Sequence, residues 1–337
     1  MWGPAAETLS SLRICRIMRP ADASGAGGVR GGTILKMAEA GATVSTRHCN
    51  SQIGRRCVAA LVRAERADFL SPMRIGAHAT HVSAEVTSTS KRPVEVRVNV
   101  MSESVLTDTK KPPNEATVWY VALSLKKVDK VPGVPPGLYP RQEREAEGWK
   151  RCEAQKLGCR ETTQRNGDAA RPRRNPEPDT ASYSQSGVLH LAGPSDSTLH
   201  GLVHAGVSTK LVDGVPGIVA ARHCKTNTVT ASVDATNFYK VTEGCDITVS
   251  GRMTFTSNQS VEIEVPGDAD PVQDNLQTRY QAASDFFTCV PLSQEGRSLP
   301  VPQLVPDTED AKKRFEEGSG QYLQMKAKPQ GQAEPQP

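Results

Sequence analysis

Aromatic residues make up only 4% of this chain, so its cores cannot be built around large rings. Apolar residues still reach 37%, which puts the packing on Val, Leu, Ile and Ala and excludes a disordered chain. No run of about twenty apolar residues occurs, so no helix is expected to cross a membrane. Charge of one sign is also missing: the net charge is +4, and the basic residues do not interleave with aromatics as in a nucleic-acid face. The densest basic run, Arg171, Arg173 and Arg174, sits among Pro and Asn and reads as a solvated linker. The eight cysteines form neither CxxC pairs nor zinc-like clusters with His, which argues against a structural zinc site. Arg13, Arg16 and Arg19 precede no apolar stretch, so no secretory signal is read and reduced, cytosolic thiols are expected.

Several chemistries are excluded in the same way. There is no GxSxG elbow. Residues 25–32, GAGGVRGG, give GxGxxR rather than GxGxxG and follow no apolar strand, so a dinucleotide-binding turn is not supported. No GK[ST] follows, which removes a phosphate-binding loop of the nucleotidase kind.

What is present is a repeat. Residues 22–36, DASGAGGVRGGTILK, align with 196–210, DSTLHGLVHAGVSTK: Asp22 meets Asp196, Ser24 meets Thr198, Gly32 meets Gly206 and Lys36 meets Lys210. Both copies then reach Arg-His-Cys, at 47–49 and 222–224. TSTSKRPVEVRV (87–98) matches TFTSNQSVEIEV (254–265), and ATVWYVALSL (116–125) matches ASDFFTCVPL (283–292). Matching order over about a hundred residues indicates a duplicated unit, and 337 residues accommodate two.

Each copy reads as a Gly-rich turn, a helix and a run of alternating strands, hence an α+β unit with its helix laid across an antiparallel sheet. Val94, Val96, Val98 and Val100 alternate with polar residues, as do Val261, Ile263 and Val265. The second helix shows an apolar stripe of Val207, Leu211, Val215, Ile218 and Val219, with Asp213 turned away from its sheet. In the first helix, Glu39 lies at the edge of a stripe of Ile34, Leu35, Ala38 and Ala42, where a solvated surface charge is the simplest expectation. Lys36 to Arg47 is eleven steps and Lys210 to Arg222 is twelve, so one residue is missing near Glu39 and everything beyond it turns by about 100°.

A Gly-rich turn at a helix N-terminus presents outward N–H groups that favour negative charge. A carboxylate from the other copy's helix, set against those amides, would make a hydrolytic site. The amides would polarise a carbonyl and the carboxylate would act on water, with no metal.

VRGGTILK, the twin RHC tripeptides, VSAEV, VEVRVNVMSE, ARHCKTN, SGRMTFTSN and LSQEGRSLPVPQLVP resemble the brain-type, cytosolic acyl-coenzyme A thioester hydrolase family over nearly the whole chain. The resemblance implies two tandem hotdog domains, each a long helix wrapped by an antiparallel sheet. Residues 1–15 are then an N-terminal extension and 16–160 the first domain with a trailing charged helix. A linker at 161–185, a second domain with its own charged helix at 186–326 and a disordered tail at 327–337 follow. It further implies hydrolysis of medium- to long-chain fatty acyl-CoA in the cytosol by a trimer of two-domain chains. No metal or cofactor is implied, because coenzyme A belongs to the substrate.

By the same resemblance, Asp213 is the catalytic carboxylate and its partner position, an asparagine in the family, is held by Ser24. Gly31 and Gly32 would supply oxyanion amides, Gly206 and His204 would be their counterparts in the second copy, and Glu39 a second-site carboxylate. The departures cluster there. Arg30 stands for a histidine, Ala205 for a glycine and Gly214 for a carboxylate, and Pro216 falls inside the second helix at a nominal cost of roughly 3 kcal/mol. These departures leave a second reading open, a catalytically impaired protein that binds acyl-CoA or co-assembles with an active relative.

Overall fold

The computed structural model describes residues 11–124 and 177–327, apart from short breaks at 24–27, 38, 54–55, 66, 70–72, 74, 76–77, 90–92, 105–106, 108, 199, 273–278 and 294. Ser24, the first copy's charged stretch, the basic run at 171–174 and the tail beyond 327 lie outside the described residues.

Both copies build the same unit. The first runs β1 (Ser11–Ile17), a one-turn 3-10 helix (Pro20–Asp22), α1 (Gly31–Met37), α2 (Ala40–Ile53), β2 (Cys57–Ala64), β3 (Ala67–Asp68), β4 (His78–Thr89), β5 (Pro93–Ser104) and β6 (Lys110–Ser124). The second runs α3 (Ala181–Ser184), β7 (Ser186–Leu191), the matching 3-10 turn (Pro194–Asp196), α4 (Ala205–Cys224), β8 (Thr228–Val233), β9 (Thr236–Phe238), β10 (Cys245–Thr256), β11 (Val261–Pro271), β12 (Tyr280–Pro291) and α5 (Glu309–Ala327). The strand over residues 11–17 begins inside the stretch read as an N-terminal extension, and it pairs antiparallel with β4. Alternation alone does not reveal it, because Arg13, Cys15 and Arg16 interrupt the apolar pattern of an edge strand.

The described strands form one antiparallel sheet in the order β1-β4-β5-β6-β2-β9-β12-β11-β10-β7. The copies meet at its centre. Arg63 and Ala64 of β2 pair with Asn237 and Thr236 of β9, and Ala67 and Asp68 of β3 pair with Val233 and Ser232 of β8. The equivalence extends to irregularities. A register shift between Val86 and Ser88 recurs between Met253 and Phe255. Beside each shift a buried threonine donates to a buried glutamate, Thr87 to Glu95 at 2.7 Å and Thr254 to Glu262 at 2.8 Å.

Each copy has its own apolar cluster. Val94, Val96, Val98 and Tyr120 centre the first, and Val215, Val219, Ile263 and Phe287 the second. A valine taken fully from water contributes about 1.5–3 kcal/mol, so many small residues replace the missing rings. The second helix buries a stripe centred on Val212, Val215, Pro216 and Val219, about 80° round from the one the sequence suggests. Ile218 is therefore exposed rather than core. Pro216 sits within α4 without ending it.

The first helix is in two pieces where the second is continuous. The Glu39 N–H donates to Lys36 O at 3.1 Å, and the Glu39 carbonyl accepts from Ala42 N–H at 2.9 Å, so Glu39 closes α1 and opens α2. The missing residue is thus absorbed by a break in the helix, which keeps α2 on its own sheet. Ile34 of α1 packs into the first cluster, while Leu35 packs against the second.

Candidate active site

The turns that open α1 and α4 are held alike. Asp22 accepts from Arg16 Nη2 at 2.8 Å and from the Arg19 N–H at 2.9 Å, and its carbonyl accepts the Arg30 N–H at 3.0 Å. Asp196 bonds His190 Nε2 at 2.9 Å and the Gly193 N–H at 3.1 Å, and its carbonyl accepts the His204 N–H at 2.9 Å. Single antiparallel bridges, Ala23 to Val29 and Ser197 to Val203, close both loops. Each loop delivers a helix N-terminus to the seam between the copies.

At α1 the group waiting is Asp213 of α4. A Cβ added at Gly32 would come within 2.7 Å of the Asp213 Cβ, and one at Gly31 within 3.0 Å of Oδ1. Only glycine permits this approach. The Gly32 amide bonds the carboxylate, and Thr230 donates to Oδ1 at 3.1 Å. Asp213 is 7% exposed. Burial pushes its carboxyl above the ordinary range, against the Gly32 amide, the Thr230 hydroxyl and the Arg30 charge, which all pull it down. The Phe69 ring edge closes this side, 3.3 Å from where a Gly31 side chain would begin.

At α4 the group waiting is Glu39. The Gly206 N–H donates to Glu39 Oε1 at 2.8 Å, and His204 Nδ1 stands 3.9 Å from the same oxygen. A Cβ at Gly206 would lie 2.5 Å from that oxygen. Glu39 is therefore not the solvated surface charge that its place on the helix suggests. A cavity of 420 Å³ opens beside it, with the exposed His204, Tyr239 and Lys240 at its mouth and the buried Tyr120 and Val241 at its floor. Burial and the Glu39 charge push the Tyr120 phenol far up, so it stays protonated.

Six of the sequence-read site residues thus fall into two groups: Gly31, Gly32 and Asp213 at one, Gly206, His204 and Glu39 at the other. Ser24 is outside the described residues; its counterpart Thr198 lines the cavity. Thr230, Phe69 and Tyr120 were not legible as site residues. Thr230 lies on β8 opposite Cys289, where the β8–β12 register shifts, and no local sequence mark ties it to Asp213. Among the described residues no group of His, Cys, Asp and Glu could hold a metal ion, and the described cysteines are free thiols.

Comparison with known proteins bears on what such a pair of sites does. The thioesterase superfamily model matches residues 26–108 and 200–270, one segment in each copy and each containing a helix turn and its carboxylate. Over 324 residues the chain is 71% identical to the human cytosolic acyl coenzyme A thioester hydrolase, covering 96% of this chain and 85% of that protein. The chain belongs to the acyl-coenzyme A thioester hydrolase family. The mouse member is 70% identical over the same coverage. An assigned oleoyl thioesterase of Lactobacillus plantarum, 9% identical, superposes with a TM-score of 0.51 over 84% of this chain and 97% of its own. That likeness shows the fold alone.

Proposed function

We propose that this chain hydrolyses medium- to long-chain fatty acyl-CoA thioesters to fatty acid and CoA in the cytosol. The observation that carries the reading is the buried Asp213 carboxylate set against the glycine amides of α1. Ionised Asp213 takes a proton from water as the water attacks the thioester carbonyl; when the adduct collapses, the C–S bond breaks and the CoA thiolate takes that proton from Asp213, which is ionised again. The oxyanion that forms is stabilised by the N–H group of Gly31 and the α1 dipole, while the Gly32 N–H stays on the Asp213 carboxylate and fixes it beside the reacting carbon. Ser24 offers one hydroxyl where an amide is expected in the family, so it holds the carbonyl with fewer hydrogen bonds. Thr230 orients the carboxylate, and Phe69 keeps bulk water from the reacting atoms. The reaction draws on no cofactor beyond the CoA of its own substrate. The acting unit is a homo-oligomer, a trimer of double-hotdog chains, and mass measurement in solution tests that state. No described helix is long and apolar enough to cross a membrane.

The decisive experiment is release of free thiol from palmitoyl-CoA by the pure chain, compared with Asp213→Ala. Equal rates would remove Asp213 from the chemistry. Ser24, Gly214 and Pro216 favour one alternative, an impaired protein that still binds acyl-CoA. Activity recovered by Ser24→Asn alone would locate the impairment at that one side chain.

A further inference from the structure

Two neighbouring strands back each seam carboxylate with one facing pair of residues. Beside Glu39 the pair is Ala59 of β2 and Ala122 of β6, which stand opposite each other and bring no polar side-chain atom. In the repeat, Glu39 aligns with Asp213 and Ala122 with Cys289. At the Asp213 seam the matching pair is Thr230 of β8 and Cys289 of β12, again directly opposite in register. Residues paired in this way point to the same face of the sheet, with Cβ atoms about 4.5–5.5 Å apart. The Thr230 hydroxyl donates to Asp213 Oδ1 at 3.1 Å. A hydroxyl has one proton and two acceptor sites, so once that proton lies on the carboxylate the oxygen can only accept. Cys289 is the partner that can donate to it. Its side chain is fully buried and hydrogen-bonded with Thr230. Burial and the Asp213 charge push the Cys289 thiol far up, so the proton stays on sulfur.

We propose that Cys289 is a positioning residue for the hydrolysis: its S–H donates to the Thr230 hydroxyl oxygen and so directs the Thr230 proton onto Asp213. This role rests on the reading of Asp213 as the general base. A thiol is a weak donor, and its effect here is one of direction. A threonine hydroxyl turns about its C–O bond and can donate elsewhere. With a donor seated on its oxygen, the rotor is fixed and its proton points away from sulfur, toward Oδ1. The three groups then form a short chain in a dry interior, where hydrogen bonds in series strengthen one another. The alanine pair beside Glu39 can build no such chain, so the two seams differ in this device as well as in their carboxylates. Among the described residues, the other titratable groups that bear on this pair are Arg30 at the α1 turn, on Asp213, and Cys224 at the end of α4, on Cys289. Arg30 keeps its charge throughout, and burial pushes the Cys224 thiol up to about 11. Of these groups only Asp213 titrates in the acid range.

The test compares Cys289→Ala with Cys289→Ser in the full-length chain. Alanine is what the first copy carries at this place, and serine keeps a donor. In Cys289→Ala, kcat for thiol release from palmitoyl-CoA should fall roughly three- to tenfold, the weight of one modest hydrogen bond, with KM nearly unchanged. Its acid limb should move to higher pH, because the Thr230 bond that pulls the Asp213 carboxyl down is weakened. Cys289→Ser should restore both. In a Thr230→Val background, Cys289→Ala should move the limb no further. A lowered melting temperature with an unmoved limb would reduce Cys289 to packing and overturn the proposal. So would a serine that restores neither property, or an equal shift in the absence of Thr230. A readout free of turnover is the infrared S–H stretch that Cys289→Ala removes, which should shift in Thr230→Val. Should Cys289→Ala fail to fold, this band, identified by its loss in Cys289→Ser, decides together with the serine profile. A chain that releases no thiol but shows the shift refutes the hydrolase reading and leaves the Cys289–Thr230 bond standing. An unshifted band overturns the bond whether or not thiol is released.

Discussion

The two seams are made by one duplicated sequence and have become unlike. At the Asp213 seam the carboxylate is short, 7% exposed and bonded by a threonine hydroxyl and a glycine amide. At the Glu39 seam it is one carbon longer, part exposed, and its helix is broken beneath it. On the proposed mechanism, the difference teaches that a carboxylate against a helix amide is not in itself enough for catalysis. A dry environment that raises its basicity and a neighbour that aims it are also needed, and only one seam has both.

The comparison breaks most severely at Asp213. Asp213→Ala should lower thiol release from palmitoyl-CoA by roughly 10²–10⁴-fold, the usual worth of a general base. Next comes Gly32→Ala, whose methyl would sit 2.7 Å from the Asp213 Cβ. Displacing the pair by a fraction of an ångström to an ångström should cost up to about 10²-fold in kcat, with the melting temperature lowered as well. Thr230→Val should lower kcat about tenfold and leave KM nearly unchanged. The pH profile sharpens the same point. The base must be ionised, and burial holds Asp213 above the ordinary carboxylate range, so activity should fall with acid at a higher pH than for an exposed aspartate. Thr230 pulls that value down, so the acid limb of Thr230→Val should move to still higher pH; an unmoved limb would separate Thr230 from Asp213. The smallest effect belongs to Glu39→Gln, which keeps an acceptor for the Gly206 N–H. Activity should stay within about twofold and stability should fall by about 0.3–1 kcal/mol through the lost charge at the α4 N-terminus.

The repeat, the α+β class, the glycine turns and the candidate carboxylates were legible because each is written locally or twice. Gly32 and Gly206 align, Asp213 falls on the face of α4 away from its sheet, and strands such as Val94 to Val100 alternate plainly. What escaped is what depends on contacts between copies. The buried stripe of α4 is rotated because Leu211 and Val207 are only part buried while Val212 and Pro216 face the core. Glu39 looks like surface on its own helix and becomes a site residue only beside Gly206. Thr230 resembles any half-buried strand threonine until the fold sets it beside Asp213.

The two-piece first helix has a consequence for where one domain stops and the other starts. α1 leaves its own helix at Glu39 and lies along α4, with Leu35 against the second cluster. By packing, then, α1 is shared between the halves: Ile34 and Met37 stay with the first cluster while Leu35 lies against the second. A cut through the linker would divide the chain neatly on paper and unseat the segment that carries Gly31 and Gly32. Neither fragment would carry a complete Asp213 seam of its own, so the duplicated halves have become a single heritable unit that can be lost only together.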